Sequence, residues 1–115
     1  MDFLLILNDP PASPGRSDNG LRVAAALLRT DDANVRVFLL GDAVSWGAAT
    51  CRDAAASGPV NPLSALINAG CVVAVSEAAM RDQGIAPNDL VIGAEAAAES
   101  TLAAWCLEAE RLLVF

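Results

Sequence analysis

The sequence predicts an α/β fold, a three-layer α/β/α sandwich built on a mainly parallel sheet. Three observations predict it. Short runs such as 3–7, 35–40 and 71–75 are apolar throughout, where one-sided sheets alternate polar and apolar residues. The stretches between them carry apolar residues at helical spacing, and each run ends on turn residues. The 115 residues are expected to form one domain, 1–115, because a second core in so short a chain would bury too little surface.

The elements follow in order. Phe3 to Leu7 reads as a buried strand that stops at Asn8-Asp9-Pro10-Pro11. It has an acid at position 2 and lacks a basic leader, so it reads as a strand and not as a signal peptide. Leu21, Ala24, Ala25 and Leu28 then recur at helical spacing, with Ser17, Asp18 or Asn19 available as cap. Val35 to Leu40 is the second strand, closed by Gly41-Asp42. Asn61-Pro62, followed by Leu63, Leu66, Ile67 and Gly70, supplies an N-cap, a proline at the first helical position and a glycine past the end. Cys71 to Val75 is a third strand, and Ser76-Glu77 opens a short helix through Met80. Ala86-Pro87-Asn88-Asp89 is expected to start a further helical stretch. Ser100 or Thr101 caps the next helix, with Leu102, Trp105, Cys106 and Ala109 as its apolar face, and Arg111 to Phe115 closes the chain as a strand.

Composition excludes several classes of chemistry. The net charge is −7, with seven Arg and no Lys, so phosphate neutralisation has no clustered cations and neither nucleic acid nor an anionic membrane is expected as partner. No apolar stretch approaches the length of a membrane span. The absence of His removes imidazole acid/base catalysis, Ser-His-Asp and Cys-His nucleophile activation, and the commonest zinc ligand. No G-x-G-x-x-G follows a strand and no phosphate-binding loop exists without Lys, so neither a nucleotide cofactor nor a metal is expected. Cys51, Cys71 and Cys106 make an odd set without a C-x-x-C pair, which leads us to expect reduced thiols and a cytoplasmic location.

In parallel sheets, ligands sit beyond the carboxyl ends of the strands. That places any activity where three loops meet: Asn8 to Gly20, Gly41 to Asn61 and Ser76 to Gly84. Asn8, Asp9, Gly41 and Asp42 are candidate pocket residues, though turn chemistry explains all four equally well.

The phrases Phe3-Leu-Leu-Ile-Leu-Asn-Asp-Pro-Pro11, Asn19-Gly-Leu-Arg22, Val35-Arg-Val-Phe-Leu-Leu-Gly-Asp-Ala-Val44 and Met80-Arg-Asp-Gln-Gly84 resemble the DsrE family, including TusD-like subunits of sulfur relays. The resemblance continues through Asp89-Leu90, Trp105 and Leu112-Leu-Val-Phe115, so it spans the chain. It implies a five-stranded parallel sheet, assembly as a trimer or hexamer, and sulfur carried as a cysteine persulfide in the loop before a Met-x-x-x-Gly segment. In many relatives that loop reads Cys-x-x-Cys-Met. Here it reads Ser76-Glu77-Ala78-Ala79 before Met80, which leaves no thiolate to form a persulfide. Ser76, Glu77 and Met80 join the candidate pocket through this alignment, with a helix cap as the plainer reading of Glu77.

Among the thiols, Cys51 is the candidate for a relocated carrier, since Arg52 beside it favours the thiolate. Packing is the stronger reading, with Val44, Ala48, Cys51 and Ala55 forming one helical face. Cys71 and Cys106 read as small core residues. Trp46 fits a pocket wall, the core or a subunit interface, and the interface is preferred.

The sequence therefore supports a DsrE-like protein associated with intracellular sulfur transfer, non-catalytic or divergent. The alternative is a small-molecule-binding or structural module without sulfur-transfer activity, and an independent enzyme is supported least. A chain 55% apolar is expected to hide part of that surface in a homo-oligomer. A second DsrE-type subunit or a sulfur-donor protein is a further expected partner.

Overall fold

A computed structural model describes residues 1–13, 15–51 and 61–115. Five strands form one parallel sheet in the order β4-β3-β2-β1-β5. They are β1 (Asp2–Leu7), β2 (Asn34–Leu39), β3 (Val72–Ser76), β4 (Ala94–Ala97) and β5 (Arg111–Val114). The helices are α1 (Gly15–Leu28), α2 (Pro62–Asn68), α3 (Glu77–Gln83) and α4 (Glu99–Glu108). No helix among the described residues is long and apolar enough to cross a membrane.

The strand order dictates which face each helix covers. From β1 to β4 the chain steps across the sheet in one direction, and the final connection returns across it to β5. Parallel crossovers are right-handed, so a reversal of direction moves the connecting helix to the opposite face. On the first face α1, α2 and α3 contribute Leu21, Ala24, Leu63, Leu66 and Met80 to a core with Leu5, Leu7, Val37, Leu39, Val73 and Val75. On the second face α4 packs Leu102 and Trp105 on Leu4, Ile6, Phe38 and Ala74, the one helix there among the described residues. Trp105 meets Phe38 edge to face at 5.8 Å between ring centres, a favourable geometry beyond the area it buries.

Local sequence accounts for most boundaries. Asn61 caps α2, its side chain accepting from the Leu63 N–H at 2.8 Å, and Pro62 follows at the first helical position. Ser76 caps α3 by accepting from the Ala79 N–H at 3.3 Å, and Gly84, at φ 70°, ends it in the left-handed region that favours glycine. Gly20 lets α1 settle against the sheet, because a Cβ there would run into Leu7 and lie 2.9 Å from the Phe115 ring.

Four expectations are corrected. The stretch from Ala86 is no extended helix: a 3₁₀ turn at Pro87–Asp89 leads into β4, which the residues alone did not reveal. Ala94-Glu-Ala-Ala97 contains no β-branched residue, and as an edge strand it is held by pairing with β3. Cys106 is exposed, because Leu102, Trp105 and Ala109 supply α4's contact line and residue 106 lies one position off it. Trp46 is 1% exposed and belongs to the core, its indole N–H donating to the Asp9 carbonyl at 2.8 Å. Finally, Val44, Ala48 and Cys51 share no helical face. The 3₁₀ segment Gly41–Gly47 ends at an extended Ala48, which bridges antiparallel to Leu90. Ala55, the last member of that expected face, and Arg52 lie outside the described residues.

Candidate functional site

The carboxyl ends of β1, β2 and β3 open on one side of the sheet, and the segments that follow them border a shallow, open cavity of about 510 Å³. Pro10, Pro11 and Ala12 line it from the β1 side. Ser45, Ala48, Thr50 and Cys51 line it after β2, and Gln83 and Ile85 line it from the end of α3. The three converging loops thus each supply a wall. Every one of these nine side chains is uncharged, in a chain of net charge −7.

Hydrogen bonds hold the walls together. The Ser45 hydroxyl donates to Gln83 Oε1 at 2.8 Å, and Gln83 Nε2 donates to the Gly41 carbonyl at 3.2 Å. Gln83 therefore ties the end of α3 to the turn after β2. Asn61 fixes the same turn from behind, its Nδ2 donating to the Trp46 and Ala48 carbonyls at 3.0 and 2.7 Å. Beneath β1, the Ser17 hydroxyl accepts from the Asp9 N–H at 2.8 Å and the Asp9 carboxylate accepts from the Arg16 N–H at 3.0 Å.

The candidate residues fall into distinct places. Cys51 lines the cavity and packs partly against the core. Asn8 is exposed and binds the Phe115 carbonyl through Nδ2 at 3.0 Å. Asp9 holds the α1 entry, and Gly41 and Asp42 bracket the Gln83 amide. Ser76 is buried as a cap and Met80 is 2% exposed in the core. Glu77 sits in the first turn of α3 and lines a separate groove beside α4. The cavity residues that sequence reasoning missed are Pro10 to Ala12, Ser45, Thr50, Gln83 and Ile85. Pro10-Pro11 directly after a strand and Gln83 next to Gly84 were the available signals.

The thiols differ in environment. Burial pushes the Cys71 thiol from 9.0 up to about 12, so it stays protonated at neutral pH. Cys106 faces outward on α4. Cys51 is the thiol that reaches the cavity among the described residues. No three His, Cys, Asp or Glu side chains come together as a metal site among the described residues.

A parallel five-stranded sheet with helices on both faces and a cavity at its carboxyl end defines an α/β protein whose site is built from loops. The chain belongs to the DsrE/DsrF-like family, whose model matches residues 1–115. The structure is similar to the crystal structure of the YchN protein from E. coli, with a TM-score of 0.85 and 27% identity, covering 100% of this chain and 99% of that one. It also shares its fold with MTH1491 from Methanobacterium thermoautotrophicum, a protein of unknown function, at a TM-score of 0.72 and 16% identity over 99% of this chain and 97% of that one. No curated protein matches.

Proposed function

We propose that this protein is a divergent DsrE-type subunit of a cytoplasmic sulfur relay, in which Cys51 takes the place of the missing motif cysteine. One observation carries the reading. Ala79 stands where the resembled motif has its second cysteine, one helical turn before Gln83 and on the same face of α3. Gln83 lines the cavity that Cys51 lines from the opposite loop. A thiol at 51 thus serves the space that a thiol at 79 would approach.

The chemistry is an exchange without net oxidation. The Cys51 thiolate attacks the outer sulfur of a donor persulfide, a new S–S bond forms on Cys51, and the donor's own S–S bond breaks. The electron pair leaves on the donor thiolate, which takes up the proton Cys51 lost. Among the described residues the wall around Cys51 is uncharged, and Pro10, Pro11 and Ile85 give it a partly apolar lining. Partners suited to this role are further copies of the chain, a DsrE-type subunit that keeps its cysteine, or a sulfur-donor protein.

The second reading is a binding subunit that performs no transfer, favoured by Ser76, whose hydroxyl is committed to capping α3. Intact mass after exposure to polysulfide separates the two. A gain of one or more sulfur atoms, removed by reductant and absent in Cys51→Ser, is expected. A gain that persists in Cys51→Ser and vanishes in Cys106→Ser would be surface chemistry on α4, and no gain at all would leave the binding subunit.

A further inference from the structure

On one side the sheet ends at β4, and a groove of about 430 Å³ runs between that edge and α4. Among the described residues β4 pairs with β3 alone. Alternate peptide groups of an edge strand point away from the sheet and can pair with another chain, which natural edges commonly prevent with proline or lysine. Ala94-Glu95-Ala96-Ala97 has neither. Its alanines leave room for a second backbone to approach.

The two faces of β4 differ. Ala94 and Ala96 pack against the core of the first face. Glu95 is in register with Ala74, a residue of the second face, so its carboxylate stands on the side of α4. Val72 shares that face through its register with Arg36 and Leu4, and it is 51% exposed. Val72 and Ala74 floor the groove, and Thr101 and Trp105 wall it from α4. Glu77, which follows the β3 residue paired with Ala97, lines it as well. Neither Glu77 nor Glu95 has an ion-pair partner among the described residues, and no cation lines the groove.

We propose that this groove docks an extended basic segment of a partner protein, which adds to the sheet as a further strand beside β4. Main-chain hydrogen bonds supply affinity in such an addition, and alternate side chains supply specificity. The added strand lies about 4.8 Å from β4, so a Lys or Arg opposite Glu95 meets its carboxylate as a cross-strand pair. The next side chain on that face, about 7 Å along the strand, brings a second cation toward Glu77. Aliphatic stems of Lys and Arg suit the apolar floor. A second copy of the chain does not suit this edge, because two copies paired edge to edge would bring their Glu95 and Glu77 carboxylates together. None of these residues lines the cavity at Cys51, so the docking site stands independently of the sulfur-transfer reading.

Fluorescence anisotropy at low salt with a labelled Lys-Thr-Lys-Thr-Lys-Thr peptide tests this, with circular dichroism to confirm that each variant is folded. The wild type is expected to bind this peptide. It is expected to bind at least several-fold more weakly to a peptide with Glu in place of Lys, and to the Lys peptide methylated at every backbone nitrogen. Glu95→Gln and Glu77→Gln are each expected to weaken binding several-fold. Asp31→Asn removes the same charge at an exposed position outside the groove and is expected to leave affinity unchanged. In the wild type, hydrogen exchange across Ala94–Ala97 is expected to slow when the peptide is added. Absence of binding, an equal loss in Asp31→Asn, indifference to backbone methylation, or unaltered exchange in β4 would each overturn the proposal.

Discussion

Cys71 and Asn61 show how single residues set the stability of this protein. The Cys71 thiol is raised from 9.0 to about 12 by burial, so unfolding releases a group that ionises more readily. Below pH 9 both states keep the proton and the group has no effect; as pH rises from 9 toward 12 the unfolded state alone loses it, and stability falls. The chain has no Lys and no Tyr, so few other side chains titrate in that window. The unfolding free energy is expected to drop by up to about 1.4 kcal/mol per pH unit above pH 9 in the wild type and to flatten in Cys71→Ala, read by urea unfolding; parallel curves would refute this. Asn61 is 4% exposed, caps α2 and holds the Trp46 and Ala48 carbonyls. Asn61→Ala is expected to cost about 2–3 kcal/mol, combining a lost cap with two carbonyls left unbonded, measured by urea unfolding. A loss below 0.5 kcal/mol would show that those bonds contribute little net stability.

Among the elements, α1 and β4 are both decided by what they touch. Gly20 in α1 looks like a weak point that alanine would improve by about 1 kcal/mol on helix propensity. Its position over Leu7 and Phe115 reverses that sign, since a Cβ must push the helix off the sheet. Gly20→Ala is therefore expected to lower the melting temperature, and a rise would show that the helix relaxes freely. β4 has alanine at three of four positions, a composition that reads as helix in isolation. Pairing with β3 from Val73↔Ala94 to Ser76↔Ala97 overrides it. The terminal strand, by contrast, was plain from Leu112-Leu-Val-Phe115, whose apolar run suits the space beside β1.

At the scale of the whole molecule, charge acts against compactness. The chain carries 14 acids against 7 Arg, a net charge of −7, and like charges held on one body repel. Screening that repulsion should therefore stabilise the fold. Raising salt from about 20 to about 200 mM is expected to raise the urea midpoint. A lower midpoint would mean that the surface ion pairs Arg22–Asp18 and Arg36–Glu108 contribute more than the net repulsion costs.

Read without coordinates, the chain yielded its layered α/β class, four of its five strands, the α2 and α3 caps, the three loops that meet at the cavity and the family to which it belongs. These are local properties: apolar runs, helical spacing and turn residues act within a few positions of themselves. The fate of Trp46, the exposure of Cys106, the strand at Ala94–Ala97 and the walls supplied by Pro10, Ser45 and Gln83 were decided by tertiary structure alone. Each depends on which distant segment lies opposite: Asp9 for the Trp46 indole, β3 for β4, Gly41 for Gln83. Cys51 was visible as a thiol in the sequence, but its place at the cavity arises from the antiparallel bridge of Ala48 to Leu90 that ends the preceding turn. Sequence spacing cannot encode which face a residue presents once the chain has stopped being a helix.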